Sequence, residues 1–187
     1  MKLRTHFIIA KIAAECVGLT KAECIAFCVG SLIPDLSPMQ FVHRHFYESS
    51  GEYVLSKLKK LSNRQSLLSL FEYGKMAHYL SDFCCSVHVG GNIGNVREHM
   101  SYERKLNRYA LENYETFRSQ YFKDLKMTDI NNILSSYFNA PKFDFYTDII
   151  FAVKVCCKVC ETIKNVSWHL PKAIPSMCTE NVDGSVN

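Results

Sequence analysis

The chain has 187 residues, 48% hydrophobic and 21% charged, with a formal net charge of +4. That length fits one domain with a substantial core, and the composition is ordinary for a globular protein. The mild basicity excludes a dense nucleic-acid stripe, yet permits contact with anionic substrates or a membrane surface.

The opening stretch, MKLRTHFIIAKIAAECVGL, has the outline of a signal peptide. Lys11 and Glu15 interrupt its apolar region and no small-residue cleavage site follows, so it reads as a helix of the mature chain. Periodicity places that helix over 7–18 with Thr5 as N-cap. A second follows over 19–32, where Thr20 and Glu23 have the spacing of a capping box. Pro34 and Pro38 then predict an irregular loop, IPDLSPMQ. A short helix is expected over 52–61, and its basic stretch LSKLKKLSNR (55–64) reads as a solvated face.

Residues 66–88, SLLSLFEYGKMAHYLSDFCCSVH, predict a long apolar helix at the centre of the core. VGGNIGN (89–95) lacks the strand–turn–helix context of a phosphate-binding loop and reads as a connector. A helix starting near Val96 runs on through EHMSYERKLNRYALENYETF, and two more are expected over 128–138 and 143–165. The polar stretch from Pro171 to Asn187 lacks periodicity and is expected to be a disordered tail behind a domain spanning 1–170. The fold class is all-α, a single-domain bundle of six or seven helices. No apolar run reaches the roughly 18 residues needed to span a bilayer, and the expected compartment is the cytoplasm.

Nine cysteines are an odd number, which in a non-secreted chain favours reduced thiols over a disulfide framework. Cys157 and Cys160 form a CxxC, but a structural zinc would need two more ligands, and only His169 and Cys178 lie downstream. Packing thiols are the expectation.

Metal-ligating residues cluster in the first 103 positions. Six of the seven histidines lie there, and two begin an i,i+4 pair with a carboxylate, His78 with Asp82 and His99 with Glu103. Residues four apart share a helix face, so each pair is able to grip one ion from one side. His88 follows His78 by nearly three turns and is expected on a similar face. His6, Asp35 and either His43 or His45 stand where other elements could converge. Imidazole with carboxylate suits zinc, though spacing alone leaves open a set of satisfied core and surface residues.

HYLSDFCCSVH followed by EHMSYE resembles the core signature of the zinc-dependent phospholipase C family, which is related to the S1/P1-type nucleases. HFYES (45–49) is similar to that family's His-Phe-Tyr segment and favours His45 over His43. GSLIPDLSP supplies Asp35 in the position of the family's catalytic aspartate, and THFIIAKIAAE places His6 at the start of its first helix. The resemblance spans residues 5 to 110 and implies a helical bundle of the phospholipase C / P1 nuclease type. It also implies two or three zinc ions. One would be held by His45, His78 and Asp82 with Asp35 close by, and a second by His88, His99 and Glu103. A third would lie between His6 and a bridging Asp82. Asp35 would be the general base or the orienter of the attacking water. Secreted members begin with a tryptophan whose amino group and carbonyl bind the third zinc. This chain begins MKLRTH, and its one tryptophan is Trp168.

The expected function is therefore zinc-dependent hydrolysis of a phospholipid or related phosphodiester, with peripheral membrane contact and no transmembrane segment. The alternatives are an S1/P1-like nuclease, which alone would have nucleic acid as partner, and a catalytically silent metal-binding bundle. The nuclease would need exposed aromatics to stack bases.

Overall fold

The computed structural model describes residues 1–37, 44–61, 66–90, 95–120 and 129–165. Among these the backbone is helical almost throughout, with nine α-helices and no strand. They are α1 (Leu3–Val17), α2 (Lys21–Gly30), α3 (Ile33–Leu36), α4 (Tyr47–Leu61) and α5 (Leu67–Phe83). A 3₁₀ turn, Ser86–His88, then precedes α6 (Val96–Glu112), α7 (Tyr114–Ser119), α8 (Ile130–Phe138) and α9 (Phe145–Asn165). No helix of the described residues is long and apolar enough to cross a membrane.

Local chemistry sets most of the boundaries. The capping box at α2 forms, with Glu23 Oε2 accepting from the Thr20 N–H at 2.7 Å. Ser66 caps α5, Asn95 caps α6 and Asp129 caps α8 through their side-chain oxygens. Thr5 is not a cap. Helix α1 begins two residues before it, and Thr5 is buried with its hydroxyl on Asn107 Oδ1 at 3.1 Å. Part of the expected IPDLSPMQ loop is the helical turn α3, because proline is tolerated in a first turn where its missing N–H has no partner to lose. The helix expected over 52–61 starts earlier, at Tyr47, and the helix expected to run to Phe117 breaks at Asn113 (φ −109, ψ 19). The extra helices beyond six or seven are these short pieces. The expected tail, 171–187, lies outside the described residues, as do His43, Trp168, His169 and Cys178.

Helix α5 is the hub, packing against α2, α4 and α9. It buries Leu70, Tyr73, Met76, Tyr79, Leu80 and Phe83 completely or nearly so. Its crossing with α2 is a backbone-to-backbone contact. A Cβ on Gly74 would stand 2.2 Å from the Phe27 carbonyl oxygen, and one on Gly30 would stand 2.1 Å from that of Phe71. Only glycine permits that approach. Helix α1 lies between α9 and α2 and also touches α6. Lys2 pairs with Glu103 and Thr5 with Asn107 on α6, and Glu15 with Arg118 on the following α7, so α1 and α6 run parallel and their N-termini share one end of the bundle.

The eight cysteines among the described residues are free thiols, and Cys28, Cys84, Cys85, Cys156, Cys157 and Cys160 are buried. They pack as small hydrophobes.

Candidate metal centre

The last turns of α5 present His78 and Asp82 on one face, as their spacing requires, and both are fully buried. His88 does not continue that face. Helix α5 ends at Phe83, Cys85 is extended, and His88 sits on the separate 3₁₀ turn. That turn is anchored from outside. Asp148 on α9 accepts from the Ser86 N–H (2.9 Å) and hydroxyl (3.2 Å), and from the phenols of Tyr102 (2.9 Å) and Tyr137 (2.8 Å). Burial pushes the Asp148 carboxyl up, against the pull of these four donors. Folded back this way, His88 donates from Nδ1 to the Asp82 carbonyl at 3.1 Å.

Other elements complete the cluster. Helix α1 brings His6, whose Nε2 lies 3.4 Å from Asp82 Oδ1 and whose ring stacks on His78 at 3.7 Å. Asp35 on α3 lies 3.5 Å from His78 Nε2 and 3.8 Å from His45 Nδ1. His45 Nδ1 is also 2.7 Å from Asp82 Oδ2. Helix α6 supplies His99 and Glu103. Among His88 Nε2, His99 Nε2 and Glu103 Oε1 the separations are 3.3, 3.2 and 3.5 Å. All eight expected ligands therefore surround one region, in three sets able to hold an ion, the first two sharing His78: His6/His78/Asp82, Asp35/His45/His78 and His88/His99/Glu103. Asp35, expected close to the first zinc, falls in one set with His45 and His78.

The donor atoms are oriented for a cation. His78 donates from Nδ1 to the Ser31 carbonyl at 2.8 Å, a contact that the Gly30–Gly74 crossing permits. Ser81 uses its hydroxyl hydrogen on the His78 carbonyl (2.7 Å), so His6 Nδ1 is the donor to Ser81 Oγ at 2.9 Å. These bonds fix both tautomers and leave each Nε2 with a lone pair turned inward. The Nε2 atoms of His6 and His78 are buried and find no hydrogen-bond partner among the described residues, which is costly unless something electropositive meets them. Zinc bound at 2.0–2.1 Å in a tetrahedron sets its ligand atoms about 3.3 Å apart. The His88/His99/Glu103 separations match that spacing.

Charge balance is settled within the cluster. Burial opposes ionisation of Asp82, but the Met1 ammonium and surrounding imidazoles hold its carboxyl well below the usual range. Burial, then the neighbouring His6, pushes His78 well down. Burial also lowers His88. His45 is raised, because Asp82 outweighs its own desolvation. The Met1 amine is buried against Asp82 and lies 3.2 Å from Glu103. Burial disfavours its charge, yet the carboxylates hold its pKa at about 11. It reaches them because α1 starts at Leu3, leaving little chain to fold back.

Sequence reasoning did not single out Ser81, Ser31 or Asp148. Ser81 had a local signal, since it directly precedes the ligand Asp82. Asp148 had none, because its partners are 11 to 62 residues away. The described lining of the cavity, about 610 Å³ in volume, is Met1, Lys2, Leu3, Asp35, Arg44, His45, Phe46, His88, His99 and Glu103.

No curated protein and no solved structure matches the chain. A family model described as zinc dependent phospholipase C matches residues 5–150. With its helical bundle and its three imidazole–carboxylate sets, the chain belongs to the zinc-dependent phospholipase C family.

Proposed function

We propose that the protein hydrolyses a phospholipid or a closely related phosphodiester to an alcohol and a phosphomonoester, using an activated water. The carrying observation is the convergence of three ligand sets, two of which contribute residues to the lining of one open cavity, while the third, His6/His78/Asp82, is buried and holds imidazole nitrogens without a hydrogen-bond partner among the described residues. Zinc held there would acidify a bound water and offset the charge on the phosphate's non-bridging oxygens. His45, His78, Asp82 and Asp35 would hold one ion, His88, His99 and Glu103 another, and His6 with Asp82 a third.

Asp35 is the residue for the water's proton. It sits at the cavity wall beside His45 and His78, where its carboxylate would accept that proton as the new P–O bond forms. The old P–O bond breaks and the departing alkoxide takes up a proton. Arg44 and Lys2 line the same cavity and meet the anionic phosphate as it enters.

Nuclease activity is the weaker reading. Phe46 is the one Phe, Tyr or Trp among the described lining residues, and it is buried, so no aromatic face there is free to stack a base. A catalytically silent bundle would cleave neither substrate below. The test is parallel hydrolysis of a choline-phosphate diester and of single-stranded DNA by zinc-loaded wild-type protein and Asp35→Asn. Release of phosphocholine by the wild type and at least a hundredfold loss in the variant are expected. Cleavage of DNA alone, or full activity without Asp35, overturns the reading.

A further inference from the structure

The cavity opens at the end of the bundle where α1 and α6 begin, and exposed apolar side chains stand near it. Leu3 lines the cavity and Phe7 follows one turn later on the same face of α1. Val96 and Met100 extend the His99–Glu103 face of α6 toward its N-terminus, since 96 and 103 are seven residues apart. Leu36 follows Asp35, and Val89 follows His88. These six side chains are between 36% and 66% exposed. A water-exposed apolar group is unremarkable alone, but several around one opening mark an interaction surface.

Cations are interleaved with them. Lys2 and Arg44 line the cavity, while Arg4, Arg97 and Arg104 are exposed on α1 and α6 beside the apolar positions. Glu98, which accepts from Asn95 Nδ2 at 3.3 Å, is the exposed carboxylate on the same first turn of α6. With Asp35 and Glu103 of the lining added to Glu98, Lys2, Arg4, Arg44, Arg97 and Arg104 still outnumber the carboxylates named among the described residues there. Apolar side chains flanked by Arg and Lys suit a surface that is anionic at its headgroups and apolar below them.

We infer that this end of the bundle docks on an anionic phospholipid bilayer, with Leu3, Phe7, Leu36, Val89, Val96 and Met100 entering the headgroup layer around the cavity. This rests on the phospholipid reading above, and it specifies how the substrate is met: the cavity faces the bilayer, and a headgroup enters with little withdrawal of its lipid. The exposed Leu67 and Leu68 lie at the other end of α5, roughly 20 Å along its axis from Asp82, and take no part.

The test compares zinc-loaded wild type, Phe7→Glu/Val96→Glu and Leu68→Glu. Co-sedimentation uses vesicles of phosphatidylcholine and of its equal mixture with phosphatidylserine. Each protein is also assayed on dihexanoylphosphatidylcholine dispersed as monomers. Wild type and Leu68→Glu should bind the mixed vesicles more tightly than phosphatidylcholine alone. The double variant should bind about tenfold or more weakly, yet hydrolyse the dispersed lipid at the wild-type rate. Phe7→Ser/Met100→Ser removes apolar surface without adding charge, and should also weaken binding if the first variant folds poorly. Equal vesicle binding by wild type and the Phe7/Met100 variant overturns the docking face, as does an equal loss in Leu68→Glu. If vesicles bind as expected but no phospholipid is cleaved, the docking face stands and the proposed reaction fails. If dispersed lipid is cleaved but no vesicle binds the wild type, the reaction stands and the docking face fails.

Discussion

Replacing Asp148 with alanine is expected to unsettle the bundle and, selectively, one ligand set. The carboxylate is fully buried and accepts four hydrogen bonds, from Tyr137 (2.8 Å), Tyr102 (2.9 Å), and the Ser86 N–H (2.9 Å) and hydroxyl (3.2 Å). Each buried donor left unpaired costs about 1–3 kcal/mol. Tyr137 is wholly enclosed and bears the full loss, while Tyr102 and Ser86 are half-buried and recover part of theirs from water. The expected loss is about 3–5 kcal/mol for alanine and about 1–2 kcal/mol for asparagine, which keeps one acceptor. Denaturant unfolding of the zinc-free protein measures it. The second consequence follows from the turn that Asp148 anchors. Slackening Ser86 lets His88 drift from His99 and Glu103, and loss of such outer support weakens metal affinity about 10- to 100-fold. A chelator competition should show one class of zinc weakened and the others near wild type. A stability loss below about 1 kcal/mol for Asp148→Ala would refute the hydrogen-bond reasoning. Uniform weakening of every zinc would refute the anchoring of His88.

Gly74→Ala should destabilise by about 2–4 kcal/mol, since its Cβ would meet the Phe27 carbonyl at 2.2 Å and α2 must move off α5; a thermal melt within error of wild type would contradict the close crossing. Zinc at a thousand times its dissociation constant should contribute about 4 kcal/mol, so adding a chelator should lower the melting temperature by about 10 °C. An unchanged melt would show that the cluster holds no metal. Cys16 is half-buried, and a hydrogen bond from the Cys157 thiol lowers its pKa to about 7. A depressed pKa brings the thiolate in at lower pH, so its alkylation, followed by peptide mapping, should rise with a midpoint near that value. Cys157→Ala should move the midpoint up toward the ordinary thiol value, and a midpoint that stays put would remove Cys157 as the cause.

The all-α class and most helix positions were legible in the sequence because apolar periodicity and capping are local. Thr20 and Glu23 report on their own helix start, and His78–Asp82 and His99–Glu103 must share a face wherever the helix goes. Chain-order motifs also carried the candidate ligand types. What periodicity misjudged was where α5 stops. The apolar pattern of 66–88 runs through Cys84 and Cys85 without a break, but Asp148 captures Ser86 and turns the chain there. His88 therefore approaches Asp82 from a turn of its own.

Convergence itself was decided only by the tertiary structure. Ser31 meets His78 across 47 residues, Ser81 meets His6 across 75, and the Met1 amine meets Asp82 across 81. The residue types for these contacts are written in the sequence, but their meeting depends on the Gly30–Gly74 crossing and the parallel run of α1 along α6. A residue's own neighbours set its helix and its face. Which distant face it meets is set by how whole helices pack, and no short stretch of the chain contains that information.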